Sequence, residues 1–92
     1  MIDDFKKYLK KDKKSLKTIQ LYIKSIEEFM EWYLLKYTCN FKLLKRKDVI
    51  EFEEYLKNNK AYKSVTIKVK LSGIAKFNEF LIYSNIQNKM VV

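Results

Sequence analysis

The sequence predicts an all-α fold, a single four-helix bundle, on three observations: one Gly and no Pro in 92 residues, apolar residues recurring at helical spacing in four stretches, and enough hydrophobic residues, 48%, to fill a core. Tight β-hairpin turns need residues that tolerate positive φ or preset the turn, and this chain has almost none. Six Phe, seven Tyr and one Trp supply bulk for the interior, so a charged fraction of 34% does not imply disorder. The length suits one domain that removes roughly 60 to 65% of the unfolded chain's surface from water.

Ile2, Phe5 and Leu9 repeat at helical spacing, with Asp3 and Asp4 near the positive end of the dipole, which predicts a first helix over about 3–11. Lys10 to Lys14 form a charged connector. Ser15 is a good N-cap for a second helix over about 16–37, whose apolar stripe is Ile19, Tyr22, Ile23, Ile26, Phe29, Met30 and Tyr33. Residues 38–45 lose the period and read as a loop with Phe41 and Leu44 tucked under the core. Val49, Phe52 and Leu56 resume it for a third helix over about 46–58, stopped by Asn58 and Asn59, since Asn tolerates the left-handed conformation that ends helices. Ser64 is the expected N-cap of a fourth helix over about 65–84, with Ile67, Leu71, Ile74, Phe77, Asn78 and Leu81 turned inward. The tail from Asn85 has no period and reads as a linker.

Several function classes are disfavoured by what the chain lacks. A single cysteine, Cys39, forms no internal disulfide, and without any His it makes neither an ordinary Zn site nor an activated nucleophile. There is no Gly-rich phosphate loop, and Glu53 and Glu54, adjacent on a helix, point about 100° apart as on a solvated face. No catalytic residue, cofactor-binding residue or metal ligand is nominated. No apolar run approaches the ~20 residues that span a bilayer, and Asp3 and Asp4 stand where a signal peptide would be basic. The expectation is a reducing, cytoplasmic setting without a membrane.

The formal charge of +9 comes from 20 basic and 11 acidic residues, and all basic residues but Arg46 are Lys. An AT-rich genome favours Lys codons, so placement says more than total. Residues 6–24 carry eight Lys against Asp12, residues 57–76 carry six Lys and no acid, and residues 25–56 come to −2. Each basic block covers a connector and the first turns of a long helix, where unpaired N–H groups and the dipole already favour anions. On a helical wheel Lys17 and Lys24 lie on the outer side of the second helix, and Lys68, Ser72 and Lys76 on that of the fourth with Lys70 on the flank. Ser72 and Gly73 keep that helix slim enough to enter a groove. A Lys-rich face is commonly only solvated surface, but two separated blocks at helix starts favour a ligand. Duplex DNA suits them, because lysines that neutralise phosphates release condensed counterions. With one Arg, extensive bidentate reading of guanine is not expected.

The two long helices also resemble each other at a shift of 48 positions, Thr18-Ile19 falling on Thr66-Ile67, Ile26 on Ile74 and Phe29 on Phe77. The two Thr-Ile starts, with Tyr22, Phe29 and Trp32, then Leu44 and Asp48-Val49, then Ser64 to Phe77 with Phe80 and Leu81, make the chain similar to a known family. It resembles, over about residues 1–88, the N-terminal SAM-like core-binding domain of phage integrases and XerC/XerD-type tyrosine recombinases. Lys45 replaces that family's usual Thr or Ser cap on the third helix, and Asn88-Lys89 the Asn-Pro that commonly opens its linker.

The resemblance implies a SAM-like bundle forming half of a clamp around a recombination site, with the second and fourth helices on the major groove. Carried over by position, it implies DNA contacts from Lys14, Lys17, Thr18, Lys24, Lys63, Thr66, Lys68, Lys70 and Lys76, to which the wheel adds Ser72. It also implies that residues 89–92 begin a linker to a C-terminal catalytic domain of the same parent chain, which would hold the cleaving Tyr and its helpers. This piece is then non-catalytic, monomeric alone, associated with the nucleoid, and joined on DNA by other recombinase protomers. The alternative is a helical interaction module whose Lys faces meet an acidic protein. Attachment to anionic membranes is disfavoured, since it needs apolar stripes that four helices would bury against one another.

Overall fold

Four helices form nearly at the bounds the periodicity predicts: α1 (Ile2–Lys11), α2 (Leu16–Tyr37), α3 (Arg46–Asn58) and α4 (Ser64–Tyr83), with no strand. The computed structural model describes all 92 residues. Each helix buries one stripe: Phe5 and Leu9 from α1, Ile19, Ile26 and Phe29 from α2, Val49, Phe52 and Leu56 from α3, and Ile67, Ile74, Phe77, Phe80 and Leu81 from α4. Leu44 joins them from the loop after α2, and Phe41 packs edge-on against Phe29, as expected of that loop. Edge-to-face rings knit the core, Phe5 to Phe77 at 5.2 Å and Phe29 to Phe52 at 5.2 Å, an arrangement that matches positive ring edges to negative faces. No helix is long and apolar enough to cross a membrane.

The α2–α4 pair makes the most extensive contact between helices, and Gly73 sits at its centre. A Cβ at Gly73 would lie 3.0 Å from Ser25 Cβ and 3.3 Å from Tyr22 Cα. The residue is buried against α2, so its smallness serves this crossing and does not slim the outer face as the wheel suggested. Ser25 is buried there too, its hydroxyl donating to the Leu21 carbonyl at 2.8 Å.

The helix ends depart from expectation in three places. Ser64 is the first residue of α4 and not its cap: Lys63, in extended conformation, holds that position without a side-chain hydrogen bond. Asn59 ends α3 in right-handed conformation, and the left-handed residue falls two positions later on Ala61. The Asn that does take the left-handed role is Asn85 after α4. There the Ile86 N–H reaches the Leu81 carbonyl at 2.9 Å and the Asn85 N–H reaches Ile82 at 3.0 Å, the paired bonds of a Schellman ending.

The tail, which the missing period reads as a linker, is docked on the bundle. Gln87 pairs with both backbone groups of Leu44, accepting from its N–H at 2.9 Å and donating to its carbonyl at 3.0 Å. Asn78, fully buried on α4, donates to the Lys89 carbonyl at 2.9 Å and accepts from the Val91 N–H at 2.7 Å. Side-chain amides here do what a strand partner would do, and single-residue hydrogen bonds of this kind leave no periodic trace in a sequence.

Candidate nucleic-acid interface

The first basic helix start is built on Ser15. Its extended backbone opens α2, and its hydroxyl accepts the Thr18 N–H at 3.2 Å and donates to the Thr18 hydroxyl at 2.9 Å, so Thr18 is half-buried and already engaged in the cap. Lys17 and Lys24 are exposed, lie two turns apart on one face, and enter no ion pair. Lys14, half-buried in the connector, has its ammonium 3.8 Å from Asp12.

The second start has no side-chain cap, so the first-turn N–H groups of α4 remain available to an external acceptor. Lys63 and Thr66 are exposed beside them, and Lys68 and Ser72 are exposed one turn apart on the outer face. Lys63 and Lys68, like Lys17 and Lys24, are unpaired.

Two of the expected contact residues are not outward-facing cations. Lys70 lies 2.6 Å from Glu28 and 5.0 Å over the Tyr62 ring, with its side chain only 16% exposed. Tyr62 donates to the other oxygen of Glu28 at 2.9 Å, and that bond, with burial, raises its pKa. Lys76 lies 2.8 Å from Asp12 and 3.2 Å from Glu79, with its side chain 17% exposed. Eight residues beyond Lys68, it has turned about 80° around the helix, which takes it from the outer face to the flank beside the α1–α2 connector. The hydrogen bond with Lys76 and its charge hold the Asp12 carboxyl below its usual range, and the same bond raises the Lys76 ammonium against the opposing effect of its burial.

These contacts also orient the two blocks. Moving forward along α4, Lys70 meets Glu28, Gly73 meets Ser25 and Tyr22, and Lys76 meets Asp12, so the partners step backward toward the start of α2. The two basic starts therefore lie on opposite sides of the crossing, with Lys17 about 12 Å along α2 from Ser25 and Lys68 about 8 Å along α4 from Gly73. They form two arms and not one patch. Their one meeting point is Asp12, whose Oδ2 takes Lys14 from the first block and Lys76 from the second.

Sequence reasoning missed Asp12, Glu28, Tyr62 and Glu79 as partners of these lysines. Only Asp12 carried a signal, as the sole acid inside residues 6–24. Away from this region, Tyr37 donates a short hydrogen bond to the buried Asp48, which with burial pushes the phenol up to about 12.

Residues 1–88 match the family described as phage integrase, N-terminal SAM-like domain. A TnP I resolvase of Bacillus thuringiensis is 36% identical over 88 residues, which make up 96% of this chain and 31% of that protein. The chain thus spans about a third of the length of that curated relative. No solved structure matches.

Proposed function

Because the chain belongs to the family of N-terminal SAM-like domains of phage integrases, we propose that it holds duplex DNA for site-specific recombination, with strand cleavage left to a catalytic domain of a longer parent protein. The observation that carries this reading is the pair of arms on α2 and α4, each presenting exposed lysines without acidic partners: Lys17 and Lys24 on one, Lys63 and Lys68 on the other. Phosphates would be neutralised by these four, while the uncapped first turn of α4 adds oriented N–H groups. Thr66 and Ser72 would fix register on the backbone or touch base edges, with Thr18 close behind Lys17. Lys14, Lys70 and Lys76 join the contact only by leaving or sharing their carboxylates. The relative's name, a resolvase, supports recombination as the process and other protomers on the same DNA as partners. Work on the nucleoid in the cytoplasm follows from that role.

Titration of a labelled duplex over a series of salt concentrations tests the reading. Four neutralised phosphates give a slope of log K against log salt near −3.6, at about −0.9 each. Replacing Lys17 and Lys68 with Glu, one from each arm, should abolish binding and leave helicity unchanged. Absence of binding at low salt, or binding without a salt slope, refutes the proposal.

A further inference from the structure

The two basic blocks converge at one place, and an acid of the chain itself fills it. Asp12 Oδ2 receives the ammonium groups of Lys76 at 2.8 Å and Lys14 at 3.8 Å. The arrangement is that of a small anion site, two cations from different elements aimed at a single oxygen, with a carboxylate as its occupant. Geometry makes the occupancy direct: Asp12 caps the C-terminus of α1, and the connector then turns through Lys13 in left-handed conformation before reaching Lys14. That turn brings the carboxylate and Lys14 together beside α4. Glu79, one turn beyond Lys76, holds the same ammonium at 3.2 Å from its own helix. Asp12 is 44% exposed at the side chain, so the site opens to solvent.

We propose that Lys14 and Lys76 form a binding site for a backbone phosphate of duplex DNA and that Asp12 is its intramolecular competitor, occupying the site until DNA displaces it. The inference rests on the DNA-holding function proposed above and adds to it a site and its regulation. A phosphodiester offers two non-bridging oxygens with a shared negative charge, so it satisfies both ammonium groups where Asp12 Oδ2 satisfies them with one atom. Displacement moves Asp12 into water, where its partial exposure makes solvation easy, and leaves Lys76 still oriented by Glu79. Free protein therefore carries fewer available cations than its charge implies, and a loosely held duplex does not recruit Lys14 and Lys76. They are added only when the duplex is seated closely enough to exchange a phosphate for the carboxylate. Asp12 thereby lowers affinity for all DNA and confines the extra phosphate contact to the fully docked complex.

Asp12→Asn tests this in the whole 92-residue chain, with fluorescence anisotropy of a labelled mixed-sequence duplex read at several salt concentrations. Removing the competitor should tighten binding about two- to five-fold at low salt, the range expected for an exposed ion pair. The salt slope should match that of the parent, since Asp12 is displaced and the same phosphate is held in both complexes. The double variant D12N/K76Q should lose most of that gain. D12N also releases a tether between the connector and α4, so the Asp12 carboxyl 13C resonance of the unmodified protein is followed in parallel. Saturation with duplex should shift it as its two ammonium partners leave. Binding by D12N that is no tighter than that of the parent protein, or an unmoved carboxyl resonance in the bound state, overturns the inference while leaving DNA binding intact. If neither protein binds duplex, the DNA reading itself has failed and this site with it; binding by D12N alone supports both.

Discussion

Adding one methyl at the centre of the α2–α4 crossing should loosen the whole bundle. In Gly73→Ala the new Cβ meets Ser25 Cβ at 3.0 Å, Ser25 Oγ at 3.3 Å and Tyr22 Cα at 3.3 Å. Carbon atoms rest at about 3.5–4.0 Å, so the helices must part by roughly half an ångström. Neither carbon can rotate away, since one is the first atom of its side chain and the other is backbone. Overpacking of this kind costs about 1–3 kcal/mol. Ala recovers about 1 kcal/mol of helix propensity relative to Gly. The net loss is up to about 2 kcal/mol, and at about 4–8 °C per kcal/mol for a domain of this size Tm should fall by up to roughly 15 °C. Thermal melts by circular dichroism, with urea unfolding for the free energy, read the change. A G73A protein melting above the parent refutes the tight crossing. A second control uses Ser25→Gly, which removes the atom met first. If the contact is real, the G73A/S25G pair is less destabilised than the sum of its singles by at least about 0.5 kcal/mol.

Asn78→Ala should loosen the tail, leaving the Val91 N–H without a partner and the Lys89 carbonyl with only the 3.3 Å bond from the Gln87 amide. The loss is about 2–4 kcal/mol for two hydrogen bonds and the groups they abandon, and the Val91 amide should exchange with solvent deuterium far faster than in the parent. Tyr37→Phe removes the donor to buried Asp48 and should lower Tm, with the difference from the parent depending on pH. Below the ordinary phenol value of 10 both folded and unfolded Tyr37 are neutral and the bond contributes in full. Between 10 and about 12 only the unfolded phenol ionises, so stability falls as pH rises through that window. Melts of parent and Y37F across alkaline pH should therefore converge upward from 10; a constant gap refutes the role of Asp48.

Much of this architecture is legible in the residues alone because a buried stripe every three to four positions has few alternatives. Phe5 and Leu9, or Val49, Phe52 and Leu56, announce both their helix and its inner face. Ser15 was readable as a cap because an extended hydroxyl residue before a helical run has one obvious use. Ser64 reads the same way but is the first helical residue, since Lys63 supplies the extended residue and the first turn of α4 goes without a side-chain cap. A wheel placed Lys17, Lys24 and Lys68 correctly on outer faces. It misplaced Lys76, and neither it nor the resemblance foresaw the pairing of Lys70, because whether a flank lysine stays free depends on which acid another element brings beside it, and Glu28 and Asp12 are 42 and 64 residues away in sequence. The tail was illegible for the same reason: Asn78 and Gln87 act through backbone groups, which carry no residue identity to match.

The clasp of Asn78 on the tail has a mechanical side. Asn78 and Lys68 lie on one unbroken helix, ten residues or about 15 Å apart. A helix of that length transmits rotation as a stiff rod, so the segment around Lys89 and Val91 and the arm bearing Lys68 are geared together. Because α4 is also packed into the shared core, a load on the tail is carried to the arm together with the bundle, and a load on the arm is felt at the tail. Loss of the Asn78 amide would slacken the link at Lys89 and Val91 with no change at the lysines, leaving the Schellman ending and Gln87 to hold residues 85–87.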